Sequence, residues 1–347
     1  MKLLRYLLLP IALIYGGITI IRNWLFDQNI LKPSEFNIPI INVGNLSMGG
    51  TGKTPHVEYI IKLISNQHPI AVLSRGYGRK TSDYIEAEID HKSYEVGDEP
   101  LQFKTKFPAV TIAVEKNRVK GVLNLLYDHP NKEAIILDDA FQHRAIKSGL
   151  NILLTTYSKP FFDDKILPIG TLREFKKGYR RADLIIVTKC PEKLSEKSKN
   201  IFHNKIPSNI PLFFSRINYG KIYSLNNQSI LDINQELNFL LITGIADASD
   251  LINELNKRKL NFKHLAYRDH YPYKEKDAKH ISEIFDTFAG KNKVILTTEK
   301  DSMRMKTIKA FKELPIYVFE IEVEFLEEKT SFDNQIIEYV RFDKKDS

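Results

Sequence analysis

The sequence is poor in the residues from which covalent and metal staples are made. Of its 347 residues only Cys190 is a cysteine, so no internal disulfide can form and no thiolate pair exists for a zinc knuckle. A reducing cytoplasm is the simplest setting for such a chain. Zinc-finger spacing, a helix-turn-helix pattern and the aromatic signature of RNA-binding sheets are all missing. The formal charge of +8, from 51 lysines and arginines against 43 acids, is therefore not read as a nucleic-acid surface. An acidic membrane surface or a phosphorylated substrate are the partners that suit it. No internal repeat or low-complexity tract appears. With 43% hydrophobic and 27% charged residues the composition is that of a folded globular protein, and the length divides most naturally into two domains.

The amino terminus carries the one long apolar run, Leu3 to Ile21, interrupted only by Arg5. As a helix this run is about 28 Å long, close to the thickness of a bilayer core. Arg22 and Trp24 follow it and suit the headgroup region, while Pro10, Gly16 and Gly17 are residues that lipid-embedded helices tolerate. Lys2 and Arg5 give the positive start of a signal peptide, yet Ile20, Ile21, Arg22 and Asn23 stand where the small residues of a cleavage site belong. The expectation is a membrane-anchoring helix over residues 1–28, spanning the bilayer or lying in its interface. A cleaved signal peptide and a buried core helix are the alternatives.

Beyond Lys32, short apolar runs alternate with amphipathic stretches, the pattern of βαβ units around a mostly parallel sheet. Strands are expected at Pro39–Val43, Ile70–Ser74, Val110–Val114, Ala134–Leu137, Ile152–Thr155 and Leu184–Thr188, with helices near Pro55–Ser65 and Asn117–Leu126. A polar stretch around Asn218–Asn227 reads as a linker. After it, strands at Phe239–Thr243, Lys293–Thr297 and Ile316–Ile321 alternate with helices near Ser249–Lys257 and Lys276–Phe288. The fold class expected is α/β, a P-loop NTPase-like, mostly parallel sheet over 29–220, with a second, smaller α/β domain over 221–347. The closing FDKKDS reads as a frayed tail.

The chemistry begins directly after the first of these strands, at Gly44-Asn45-Leu46-Ser47-Met48-Gly49-Gly50-Thr51-Gly52-Lys53-Thr54-Pro55. Glycines let backbone N–H groups crowd round phosphate oxygens, Lys53 balances β/γ charge, and the Thr54 hydroxyl suits Mg²⁺. Ser47 stands where the usual motif has its first glycine. The context of strand before and helix after, with Pro55 just inside that helix, still marks Ser47 to Thr54 as a phosphate loop. The base reader of guanine-specific proteins is absent, since Thr188-Lys189-Cys190-Pro191 has proline where the aspartate belongs. ATP is therefore the expected nucleotide. Membrane-targeting ATPases carry a signature lysine where this chain has Met48, which weakens that rival without removing it.

A second metal element belongs at the end of an apolar strand, and Ala134-Ile135-Ile136-Leu137-Asp138-Asp139 supplies it. Two aspartates there are often only a turn or a cap, but paired with a phosphate loop they become the expected Mg²⁺ site. Gly97-Asp98-Glu99-Pro100 is a second acidic cluster, readable as a helix N-cap. A kinase needs a group to receive the acceptor hydroxyl's proton, and Asp98 suits that role, with His270 of Asp269-His270-Tyr271 as a partner from the second domain.

Taken together the segments resemble one family, the tetraacyldisaccharide 4'-kinases. The resemblance rests on the apolar amino-terminal helix, GNLSMGGTGKTP at Gly44–Pro55, SRGYGRK at Ser74–Lys80, VGDEP at Val96–Pro100 and LDDAFQHR at Leu137–Arg144. It continues through LPIGTLRE at Leu167–Glu174, RADLIIVTK at Arg181–Lys189, RDHY at Arg268–Tyr271 and TEKD at Thr298–Asp301. It implies transfer of the ATP γ-phosphate to the 4'-hydroxyl of a lipid A disaccharide precursor, tetraacyldisaccharide 1-phosphate, giving lipid IVA at the cytoplasmic face of the inner membrane. It further implies Asp98 as catalytic base with His270 across a domain cleft, Lys53 and Asp139 at the transferred phosphate, and Asp138, Asp139 and His143 in a metal and active-site cluster. Glu99 falls in the same acidic cluster as Asp98, and Arg173 and Glu174 match a further active-site pair. No obligate protein partner is inferred. Ala140, where many relatives have glycine, and Ile242–Leu251, only loosely similar to theirs, are the departures. A membrane-bound P-loop switch or targeting ATPase is the alternative function.

Overall fold

The computed structural model describes residues 7–233, 237–288, 290 and 292–342. Lys2, Arg5 and residues 343–347 of the polar tail lie outside the described residues. The chain opens with helix α1 (Leu9–Asp27), then runs β1 (Ile40–Asn45), α2 (Lys53–Ile64), β2 (Ile70–Ser74), β3 (Ile85–Glu86), α3 (Ser93–Val96) and α4 (Asp98–Lys106). It continues through β4 (Thr111–Val114), α5 (Arg118–Asp128), β5 (Ala134–Asp138), β6 (Leu150–Thr156), β7 (Leu184–Thr188), α6 (Glu196–His203) and β8 (Leu212–Ser224). The remainder is β9 (Asn238–Thr243), α7 (Ser249–Lys257), β10 (Asn261–Ala266), α8 (Glu275–Thr287), β11 (Lys293–Thr298), α9 (Glu299–Met305), β12 (Ile316–Phe325) and α10 (Lys329–Phe342).

All twelve strands join one sheet, in the order β10-β9-β11-β12-β8-β7-β6-β1-β5-β2-β4-β3. Every pairing is parallel except β12 with β8 and β3 with β4. Residues of β1, β2, β5 and β7 are buried throughout, because helices cover both faces of a parallel sheet and leave no wet side. That is why these strands stand out in the sequence as continuous apolar runs. The order places β1 between β5 and β6, so the loop after β1 opens beside the end of β5, in the crevice where α/β sheets bind ligands.

The expected linker is instead the second half of a strand. β8 pairs with β7 in parallel over Leu212–Phe214, then with β12 antiparallel over Ser215–Ser224. Asn218, Tyr219, Gly220 and Lys221 read as polar because this stretch of strand has a wet side, whereas Ile222 is buried. The carboxyl-terminal α10 returns to the first half of the chain. Phe332, Ile336 and Val340 share a core with Val57, Ile60, Ile61 and Ile64 of α2, Phe325 stacks on Phe332 at 4.5 Å, and Tyr59 donates to Asp333 Oδ1 at 2.6 Å.

Among the described residues α1 alone is long and apolar enough to cross a membrane. Only Ala12 and Gly16 of its side are buried, while Ile11, Leu13, Ile14, Ile18, Ile20 and Ile21 are exposed. A helix buried in a core would show the reverse distribution.

A buried ion group ties the two halves of the sheet together. Lys106, ending α4, places Nζ 2.7 Å from Glu58 Oε2 of α2 and 2.6 Å from Glu299 Oε1 of α9. Two carboxylates thus share one cation, and burial together with Glu58 pushes Glu299 up to about 8 against the pull of Lys106. A carboxyl whose folded pKa is raised keeps its proton longer in the fold than in the unfolded chain. Its contribution is therefore full below its ordinary value of 4.5 and is lost as pH rises through about 8. Thermal unfolding followed from about pH 5 to about pH 9 is expected to show stability falling toward the alkaline end, with a shallower fall in Glu299→Gln. Equal slopes in the two proteins would refute this account.

Candidate active site

The loop from Leu46 to Gly52 joins a wholly buried strand to the first turn of α2. Gly49 and Gly52 take φ of +116° and +80°, which side chains with a Cβ rarely adopt. The loop is held from several directions. Thr188 at the end of β7 donates its hydroxyl to Thr51 O at 2.8 Å, and Asn45 Nδ2 donates to Thr51 Oγ1 at 2.9 Å. His56, buried in α2, sits 2.7 Å from Gly52 O and 2.9 Å from Ser215 Oγ of β8, and burial pulls its pKa down to about 4. Residues 171–173 run alongside as a strap: Met48 N donates to Thr171 O at 2.7 Å, Arg173 N donates to Leu46 O at 2.8 Å, and Ser47 bridges Leu172 antiparallel. Ser47 to Thr54 therefore form one braced loop, with Met48, Gly49 and Gly50 exposed.

Asp138 and Asp139 end β5 beside this loop. Gly44 makes the approach possible, since a Cβ there would stand 2.7 Å from Phe141 Cβ. Asp139 Oδ1 lies 2.9 Å from Arg173 Nη1 and 3.6 Å from Lys53 Nζ. Burial would raise its pKa, but Lys53 and Arg173 overcome that and hold it at about 2. Asp138 goes the other way. Burial, Asp139 and Glu99 push it up to about 6, although Ser74 donates to its Oδ2 at 2.8 Å. Neighbouring carboxyls in one site are thus held far apart in proton affinity by their surroundings.

Asp98 starts α4 and is 5% exposed. Its Oδ2 lies 3.0 Å from His270 Nδ1 and 3.3 Å from Arg304 Nε, both from the second half of the chain. His270 Nε2 lies 3.3 Å from Lys300 Nζ, which pairs with Glu99 Oε1 at 2.6 Å. Burial alone would raise the Glu99 carboxyl, and Lys300 reverses the sign. The loop Ser74–Tyr77 joins this group to the first one: Ser74 holds Asp138, Gly76 lies under Gly97, and the Tyr77 ring is 5.1 Å from His270. Asp139 and His270 are both held in the left-handed region, φ 50° and 53°, where a non-glycine residue is strained.

Three of the expected residues stand apart from these groups or at their margin. Glu174 is buried and meets Arg181 Nη2 at 2.7 Å, Gln142 Nε2 at 3.2 Å and Asn23 Nδ2 at 2.7 Å, so it supports its neighbour Arg173 and does not touch Lys53 or Asp139. His143 lines a cavity of about 330 Å³ with Lys116 and Arg118, and burial with the charges of Arg118 and Arg75 pulls its pKa down to about 4. Thr54 is the second residue of α2, half-buried. Sequence reasoning gave no role to Asn45, His56, Arg118, Gln142, Thr188, Lys300 or Arg304. Asn45, Gln142, Thr188 and Lys300 lie in segments that carried the resemblance, with no role attached to them, whereas His56, Arg118 and Arg304 lie outside those segments.

The family model for tetraacyldisaccharide-1-P 4'-kinase matches residues 4–341. A tetraacyldisaccharide 4'-kinase of Flavobacterium psychrophilum is 44% identical over 346 residues, covering 98% of each chain. One of Bacteroides thetaiotaomicron is 40% identical over 364 residues, covering 98% of this chain and 94% of its own. Among solved structures, an "apo" form of LpxK from Aquifex aeolicus in complex with ATP is similar at a TM-score of 0.76 and 27% identity, over 97% of this chain and 99% of that one.

The geometry gives Gly97 a measurable role. Its φ is +100°, and a Cβ would stand 3.1 Å from both Gly76 Cα and Tyr77 O. Gly97→Ala is expected to lose about 1–3 kcal/mol of stability in denaturant unfolding. Nucleotide binding, measured by titration with a fluorescent ATP analogue, is expected to survive, because the phosphate loop lies elsewhere. An unchanged midpoint would overturn the close-approach account.

Proposed function

This chain belongs to the tetraacyldisaccharide-1-P 4'-kinase family, and from that premise we propose how its residues divide the work of moving the γ-phosphate of ATP to the 4'-hydroxyl of tetraacyldisaccharide 1-phosphate. The product is lipid IVA, on the route to lipid A. The family match sets aside the switch or targeting ATPase reading. The observation that carries the division of labour is the pairing of Asp98 with His270, a carboxylate at a helix start matched with an imidazole from the other half of the sheet.

Ser47 to Thr54 cradle the ATP phosphates through backbone N–H groups, and Lys53 neutralises charge on the transferred group and on the departing ADP. Arg173, ion-paired with Asp139 beside Lys53, adds a second positive charge at the same end. Asp98 accepts the proton of the 4'-hydroxyl as its oxygen attacks the γ-phosphorus. His270 and Arg304 orient that carboxylate and keep it stabilised in a nearly dry position. Lys300 pairs with Glu99 and so keeps a cation beside His270.

The donor set suits Mg²⁺. Asp138 is a buried carboxyl with Asp139 and Glu99 as neighbouring acids, and a hydroxyl at Thr54 stands in the first turn of α2. Mg²⁺ commonly keeps several waters and is bound through one or two carboxylates together with substrate phosphates. Thr54, Asp138 and Asp139 would hold it, and it would neutralise phosphate charge there.

The cavity lined by Lys116, Arg118 and His143 suits the anionic 1-phosphate of the acceptor. The units 29–220 and 221–347, sharing β8 across their boundary and with α10 returned to the first, act as two lobes whose closed arrangement holds His270 3.0 Å from Asp98. Closure keeps water from the γ-phosphate. The exposed apolar side of α1 holds the enzyme at the cytoplasmic face of the inner membrane, where its lipid acceptor stays, and no nucleic acid or obligate protein partner enters the reaction.

The test is transfer of labelled γ-phosphate from Mg-ATP to tetraacyldisaccharide 1-phosphate in detergent micelles. Wild type is expected to form product, Lys53→Ala to form essentially none, and Asp98→Asn to lose about 10²–10⁴-fold in kcat with ATP KM little changed. Chelation of Mg²⁺ is expected to stop turnover. Folded, ATP-binding wild type that makes no product would overturn the reading.

A further inference from the structure

The inward side of α1 bears on one short segment next to the phosphate loop. At helical spacing it presents Ala12, Tyr15, Gly16, Thr19 and Asn23, all buried or half-buried, while the opposite side is apolar and exposed. Tyr15 donates its hydroxyl to Arg173 O at 2.7 Å, and Asn23 Nδ2 donates to Glu174 Oε2 at 2.7 Å. Gly16 lies so close to the next residue that a Cβ would stand 2.7 Å from Phe175 Cε2. Arg22 donates to Gln142 O at 2.9 Å, and Gln142 in turn donates to Asn45 O and to Glu174 Oε1. Three consecutive residues, 173 to 175, are thus gripped by the stretch from Tyr15 to Asn23, about two and a half turns of a helix that a purely anchoring role would leave free of polar contacts.

What these residues grip on their other side is the reaction centre. Arg173 reaches Asp139 at 2.9 Å, and the strap on which it sits is hydrogen-bonded to Leu46 and Met48 of the phosphate loop. Glu174 is 3% exposed, and its two oxygens are divided between the halves of this arrangement, Oε1 taking Arg181 and Gln142 and Oε2 taking Asn23. Without Asn23 the buried Oε2 loses its donor, and the cheapest remedy for a buried carboxylate is to turn toward another cation or toward water. Either motion drags the peptide that carries Arg173.

We propose that Asn23 is a positioning residue for phosphoryl transfer, acting through Glu174 to hold Arg173 against Asp139. The amino-terminal helix is then part of the support of the active site as well as its anchor. This rests on the placement of Arg173 and Asp139 at the phosphate end of the site, and product formation by wild type in the same assay tests that reaction separately.

The experiment uses the full chain in detergent micelles with Mg-ATP and tetraacyldisaccharide 1-phosphate. Asn23→Leu keeps roughly the size of the residue and favours the helix at least as well, but loses the amide, and is expected to lower kcat about tenfold or more with acceptor KM changed less than about twofold. Tyr15→Phe, a milder variant that loses one hydroxyl at the same strap, is expected to lower kcat about two- to fivefold. In a Glu174→Gln background, Asn23→Leu is expected to cost less than about twofold more, because the interaction it removes is already altered. Sedimentation with vesicles of phosphatidylethanolamine and phosphatidylglycerol is expected to be unchanged for Asn23→Leu. Three results would each overturn the proposal: unchanged kcat in both single variants, a rise in acceptor KM alone, or independent multiplication of the Asn23 and Glu174 effects.

Discussion

Asp139 stands where three separate pieces of chain have to agree. Its Oδ1 is shared between Lys53, which opens α2, and Arg173, which rides on the strap beside the phosphate loop. A carboxylate in so crowded a place is costly, and this half-buried one is held because two cations converge on it. The convergence fixes the distance between β5, the loop after β1 and the strap at 171–173 all at once. Gly44 lets the β5 loop come close enough, and the backbone bonds from Arg173 to Leu46 and from Met48 to Thr171 carry the constraint into the phosphate loop.

The same economy governs the second acidic group. Asp98 and Glu99 sit at a helix start, where the dipole favours negative charge, but burial leaves each in need of a specific partner. The partners come from across the sheet: His270 and Arg304 for Asp98, Lys300 for Glu99. Because every one of those partners belongs to the far half of the chain, the acidic pair is satisfied only when the two halves are together. Lys106, held between Glu58 and Glu299, adds a second tie between the same two halves.

The helix α1 has two unlike sides. One side is apolar and exposed along its length. The other carries small residues and polar hooks that end on the strap and on Gln142. Arg144 extends the grip by bonding to Asn23 O and Asp27, so the end of the helix is fixed to the loop that follows the β5 aspartates.

Elements whose signal is local were legible in the sequence. The phosphate loop was readable because a strand, a glycine-rich turn and a helix start are contiguous, and Asp138 and Asp139 because they end an apolar strand. β1, β2, β5 and β7 were readable because a parallel sheet covered on both faces demands unbroken apolar runs. β8 was not, since half of it has a wet side and its polar residues mimic a linker; nor was α10, whose place on α2 depends on contacts such as Tyr59 with Asp333, 274 positions apart. The roles of Asp98 and His270 came from a resemblance, whereas their meeting at 3.0 Å is a tertiary fact across 172 positions. Asn23 and Glu174, 151 positions apart, left no trace in composition or period. Local spacing can specify a loop and a strand end, because backbone geometry fixes neighbours. Which distant charge neutralises which is decided only when burial removes water as the alternative partner.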